Sequence, residues 1–113
     1  MSLDTFSGMT NLVALDTAAF DRTVLGAERP VAVILSAPWC GPCRTFTPLL
    51  ERVAPTLGMD LAKVDVEATP EIAARYGVRS VPTLLVLREG NVVARQVGAV
   101  SEGALRQFLG AAT

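Results

Sequence analysis

No histidine occurs anywhere in the 113 residues, and that omission excludes several kinds of chemistry. Cysteine–histidine nucleophile pairs, serine triads and histidine-ligated metal sites all need an imidazole. Only two cysteines are present. They cannot supply the four ligands of a structural zinc site, so no metal is expected. Strong charge of one sign is missing as well. A net charge of −1, with no basic block and no acidic tail, argues against nucleic acid or a membrane surface as the main partner. Lysine is nearly absent: among ten cationic side chains only Lys63 is not an arginine. Long apolar runs are lacking too. Val31-Ala32-Val33-Ile34-Leu35 and Leu84-Leu85-Val86-Leu87 fall far short of the ~20 residues that cross a bilayer. The start, Met1-Ser2-Leu3-Asp4, has no basic lead, and Asp4 and Asp16 bracket a weakly apolar stretch, unlike a signal peptide. A cytoplasmic location is therefore expected, where paired cysteines tend to be redox-active or metal-binding. No internal repeat, low-complexity tract or linker is visible.

What is present suits one domain with one core. Half of the residues are apolar, and a chain of this length buries roughly two thirds of the surface that its unfolded form exposes. Residues 1–10 read as a flexible lead-in and 11–113 as a single domain. Leu12 to Leu15 reads as a short strand. Asp16 caps a helix whose apolar face carries Phe20, Val24 and Leu25 and which Gly26 stops. Val31 to Ser36 reads as a strand buried on both faces. A long helix opens at Cys40, with Phe46, Leu49, Leu50, Val53 and Leu57 at helical spacing, and ends at Gly58. Met59 to Val66 is the next strand. Thr69 caps a short helix with Pro70 at its first position, and Gly77 is its left-handed stop. Thr83 to Leu87 and Val92 to Val97 flank a Glu89-Gly90-Asn91 hairpin turn. Ser101 caps a last helix that buries Leu105, Phe108 and Leu109. The order βαβαβαββα predicts an α/β fold with a mixed sheet between helices, parallel in its N-terminal part and antiparallel in its closing hairpin.

Trp39-Cys40-Gly41-Pro42-Cys43 falls where the Val31–Ser36 strand hands over to the long helix. Cysteines three apart on a helix share a face, with Cβ atoms roughly 5 to 6 Å apart. A small adjustment closes a disulfide. At the helix N-terminus, unpaired N–H groups and the macrodipole favour a thiolate on Cys40. Its pKa is expected to fall from ~8.5 to about 7. Without histidine, this is the evident way to make a nucleophile at neutral pH. Gly41 permits a tight turn, and Pro42 lacks an N–H where the first helical turn has no use for one. Cys40 would attack a substrate disulfide, and Cys43, expected to be the more buried, would resolve the mixed disulfide. The motif and its strand-to-helix setting together outweigh a reading as two structural cysteines.

From about Leu12 to Leu109 the sequence resembles the thioredoxin family. Besides the Trp39–Cys43 motif, the likeness includes Pro30-Val31, Pro48 in the long helix, and the run Tyr76-Gly77-Val78-Arg79-Ser80-Val81-Pro82-Thr83. Gly90 in the hairpin and Val97-Gly98-Ala99 complete it. The resemblance implies a thioredoxin fold and a protein disulfide reductase. It implies no bound cofactor, electrons from NADPH through thioredoxin reductase, disulfide-containing protein substrates, and a monomer. Pro82 matches the family's cis-proline, and the Val81 backbone would pair with an extended substrate segment. Trp39, Gly41, Pro42, Val81, Pro82, Gly98 and Ala99 would form a docking patch around Cys40. Other roles on the same scaffold are an oxidase or isomerase, a protein dedicated to one partner, or a non-catalytic binding subunit. Gly41-Pro42 between the cysteines favours the reducing end, at about −270 mV.

Two positions, Ile34 and Ser36, depart from the family pattern, while Lys63 keeps to it. Ile34 stands where most members carry a buried aspartate thought to assist proton transfer at the second cysteine. Lys63 falls on the lysine that pairs with that aspartate, and could instead snorkel to water or pair with Asp65 or Glu67. Ser36 replaces a common aromatic residue. Slower resolution by Cys43 at neutral pH is expected from Ile34, since positioned acid–base groups contribute up to about 10² to 10⁴ in rate.

Overall fold

In the computed structural model, which describes residues 13–112, strand β1 (Val31–Ser36) is buried along its whole length. Alternate side chains therefore feed two cores, one on each face of the sheet. β2 (Asp60–Asp65) runs parallel to β1, with Ile34 beside Lys63. On the other side of β1 lies β3 (Thr83–Arg88), antiparallel to it, and β4 (Asn91–Val97) forms the edge, giving the order β2-β1-β3-β4. The parallel β1–β2 pair requires a crossover, and helix α2 (Gly41–Val53) supplies it.

On one face, Ala32, Ile34, Leu84 and Val86 pack with Phe46, Leu50 and Val53 of α2 and with Leu105 and Leu109 of α4 (Glu102–Ala112). On the other, Val31, Val33, Leu35, Leu85 and Leu87 meet Phe20 of α1 (Thr17–Phe20), Val24, and Ile72 of α3 (Pro70–Arg75). Phe108 is only partly buried. After α2 the chain tightens into a 3₁₀ turn, Ala54–Leu57, and Gly58 ends it at φ +73°. No helix among the described residues is long and apolar enough to cross a membrane.

Several local expectations change. Among the described residues the first strand amounts to a single parallel bridge, Ala14 to Lys63, with the Leu15 N–H donating to the Lys63 carbonyl at 2.8 Å. Asp16 accepts from the Ala19 N–H at 2.8 Å and starts α1 at once, so little extended chain is left to pair. Leu12 and the 1–10 lead-in lie outside the described residues. Past Phe20 the helix widens into a π-turn over Asp21–Leu25. There the Thr23 hydroxyl donates to the Ala19 carbonyl at 2.7 Å, a back-bond that opens the ladder. The wider turn carries Leu25 off the apolar face, to 36% exposure, while Phe20 and Val24 stay buried.

Thr69 precedes α3 without a side-chain cap bond, being itself buried; Gly77 does adopt φ +67°. The hairpin turn is Glu89-Gly90 alone, both at positive φ (52° and 83°), the twist-matched two-residue type. Asn91 belongs to β4, opposite Arg88. Ser101 caps α4 as expected, its hydroxyl accepting from the Ala104 N–H at 3.3 Å.

Candidate active site

β1 ends at Ser36, and the buried Ala37 and exposed Pro38 and Trp39 carry the chain to the start of α2. Cys40 is the N-cap residue, in extended backbone (φ −85°, ψ 109°), with Pro42 in the first turn. The two cysteines are joined in a disulfide with Cα atoms 5.4 Å apart, well inside the span such a bond bridges. The Cys43 N–H donates to Cys40 Sγ at 3.2 Å. A helix-terminal amide thus already points at the sulfur that would carry negative charge after reduction. Cys40 and Cys43 are equally buried, each 4% exposed, so the expected difference in burial is absent in this oxidised form. The bond holds both sulfurs in one cluster against Ala37, Val66 and Val81.

The Val81–Pro82 peptide bond is cis. Val81 is half-buried beside the cysteines, and Pro82 is buried. The Gly98 N–H donates to the Pro82 carbonyl at 2.8 Å, with Gly98 at φ +89°, which a side chain would resist. Gly41, Pro42 and Ala99 are exposed and Trp39 is 63% exposed. Cys40, Cys43 and Val81 are therefore in contact, and Gly98 is tied to Pro82. Pro82 itself contributes little side-chain surface.

Glu67 was not anticipated as a site residue. Its carboxylate accepts a hydrogen bond from the Trp39 indole Nε1, pinning the ring that flanks Cys40. Nothing local in sequence links residues 28 apart; only the parallel β1–β2 pairing brings their loops together. Glu67 is thereby engaged, and Asp65 accepts from the backbone N–H groups of Glu67 and Ala68 at 2.9 and 3.3 Å. Lys63 pairs with neither. Among the described residues it forms no ion pair, and it lines a cleft of about 320 Å³ with Ser36, Cys43, Arg44, Thr47 and Glu51. Ile34, beside it on β1, is fully buried among Phe46, Leu50 and Leu84. No group of side chains able to hold a metal ion occurs among the described residues.

A family model described as Thioredoxin matches residues 11–111. The chain is 36% identical over 103 residues to the thioredoxin of Haemophilus influenzae, covering 89% of this chain and 96% of that one. The thioredoxin of Pseudomonas aeruginosa is 38% identical over 103 residues, with 89% and 95% covered. A putative thioredoxin 2 of Streptomyces coelicolor is 43% identical over 106 residues, with 92% and 78% covered. Among solved structures, a mutant thioredoxin from Halobacterium salinarum superposes with a TM-score of 0.80 at 32% identity, over 90% of this chain and 89% of that one.

Proposed function

As a member of the thioredoxin family, this chain is a protein disulfide reductase, and we propose that Cys40 is its nucleophile and Cys43 its resolving thiol. The observation that carries this assignment is the Cys43 N–H aimed at Cys40 Sγ from the first turn of α2. After reduction, that amide and the helix N-terminus stabilise a thiolate on Cys40. The thiolate attacks a substrate disulfide, one substrate sulfur departs as thiolate, and a mixed disulfide forms on Cys40. Cys43 then attacks Cys40 Sγ, the intramolecular disulfide closes, and the second substrate sulfur is released. Two electrons pass from the dithiol to the substrate.

Docking falls to Trp39, Gly41, Pro42, Val81, Pro82, Gly98 and Ala99. Among the described residues no hydrogen bond engages the Val81 backbone. Its N–H and C=O are left for an extended substrate segment, the strand-addition mode in which backbone bonds give affinity. Disulfide-containing proteins are the substrates, and no cofactor is needed on the chain itself. Electrons reach it from NADPH through thioredoxin reductase. We further assign residues 11–113 to one domain that works as a monomer in the cytoplasm.

An NADPH-coupled insulin-reduction assay with thioredoxin reductase tests the reading. Turnover is expected for the native chain and none for Cys40→Ser, while Cys43→Ser accumulates the mixed disulfide. A reduction potential above about −200 mV would move the protein to the oxidising end of the range and contradict it.

A further inference from the structure

We propose that Glu51 accepts the Cys43 proton through water held in the cleft beside α2, in place of the acid–base group that Ile34 cannot provide. The proposal rests on the reductase reading above. Before Cys43 can attack Cys40 Sγ its thiol must lose a proton, and Cys43 is 4% exposed. The cleft of about 320 Å³ reaches Cys43 and is not lined by Cys40. With each water occupying roughly 30 Å³, it has room for several. The charged groups facing it are Arg44 and Glu51 from α2 and Lys63 from β2; β1 and the segment after it contribute Ser36, Ala37 and Pro38, none of them charged. Arginine and lysine side chains carry donors only, and Arg44 is turned to the Pro38 carbonyl at 3.4 Å. Among the described residues Glu51 is the one anionic acceptor lining the cleft.

Two further observations favour a working carboxylate over a decorative one. Glu51 and Lys63, opposite in charge and lining one cleft, form no ion pair, and the Glu51 carboxylate accepts no hydrogen bond among the described residues. Cys43, Thr47 and Glu51 follow each other at i, i+4 and i+8 along one ridge of α2. About 12 Å of helix rise separates the ends of that row. Transfer is therefore through water, with the Thr47 hydroxyl midway and Lys63 offsetting the charge left on Cys43. The proton goes from Cys43 Sγ to water and on to the Glu51 carboxylate. The Cys43 thiolate then displaces the substrate sulfur from Cys40, and Glu51 returns its proton to the departing thiolate or to bulk water.

Stopped-flow mixing of the reduced full-length chain with dithiobis(nitrobenzoate) separates the steps. The first nitrobenzoate thiolate is released when Cys40 attacks, the second when Cys43 resolves. Glu51→Gln is expected to leave the first phase unchanged. It should slow the second by about tenfold to 10² near pH 7, at or below the low end for a positioned base. The deficit should close above about pH 9, where thiols ionise without help, and Glu51→Asp should recover part of the rate. Electrostatics alone has the opposite sign, because removing an anion beside a thiol eases its ionisation. A second phase in Glu51→Gln that is unchanged, faster, or slowed equally at every pH would overturn the proposal. Failure of the native chain to release either thiolate would instead remove the reductase reading beneath it.

Discussion

The indole of Trp39 is the largest exposed apolar surface beside Cys40, and one carboxylate fixes its angle. A hydrogen bond to an ionised acceptor is worth more than a neutral one, yet at an exposed site its net effect on folding is small. Glu67→Ala is therefore expected to shift stability by no more than about 0.5 kcal/mol while loosening the docking patch. Since Trp39 is the only tryptophan, its fluorescence anisotropy should fall, and KM for a protein disulfide should rise with kcat nearly unchanged. Unchanged anisotropy would show that packing, not Glu67, sets the ring. Ile34 poses the opposite case. Its side chain is fully buried in an apolar cluster, where an unpaired polar group costs roughly 2 to 7 kcal/mol. Ile34→Asp should unfold at clearly lower urea and, in the chain that stays folded, speed resolution by Cys43 near neutral pH. Equal resolution rates in both proteins from about pH 6 to 9 would deny the position any part in proton transfer.

Among the elements, α4 shows how electrostatics fastens a helix that burial already holds. Leu105 and Leu109 anchor it to the sheet, and Glu102 in its first turn meets Arg52 of α2 at 2.8 Å and Arg106 at 3.1 Å. Hydrogen bonds from Arg52 and then Arg106 hold the Glu102 carboxyl below its ordinary range. A carboxyl lowered by folding binds its proton first in the unfolded chain. Its contribution is therefore complete above the unfolded value and is lost as pH falls through the folded one. Glu102→Gln should lower the urea midpoint slightly at pH 7, where that contribution is complete, and the two proteins should converge as pH falls below about 5, which flattens the acid limb; an unchanged acid limb would refute the linkage. The effect is small, because all three side chains are exposed. The elements that were legible in sequence are those with long periodic patterns or chemically explicit ends. α2 with the 3₁₀ turn after it runs from its Cys40 cap to the left-handed Gly58, β1 is one apolar run, and the last helix opens at Ser101. Where competing local bonds decided the outcome, the reading missed. Asp16 shortened the first strand, Thr23 opened a π-turn that displaced Leu25, and a buried Thr69 made no cap bond. At the site the same division holds. The cysteines, Val81 and Pro82 sit in motifs, whereas the Trp39–Glu67 bond and the cleft joining Glu51 to Lys63 arise only when distant segments meet.

For the whole molecule, the redox couple and the fold are tied by one thermodynamic cycle. Whatever folding does to the stability of the Cys40–Cys43 bond, the bond does to the stability of the fold. The rigid start of α2, with Phe46, Leu50 and Val53 locked into the core behind it, keeps the two sulfurs together even when reduced. In an unfolded chain they must find each other. Closing so short a loop removes about 2 kcal/mol of conformational entropy from the unfolded state in the chain-entropy description. The oxidised form should therefore be more stable than the reduced form by about 2 kcal/mol in paired urea titrations, with similar slopes because nearly the same surface is exposed. Through the same cycle, a gap of that size lowers the potential of the folded couple by about 40 mV relative to the unfolded chain. That direction is required of a protein that gives electrons to other disulfides. If the reduced form proved the more stable, folding would be expelling the bond instead of favouring it. The potential would then rise, and the chain would be better suited to making disulfides than to breaking them.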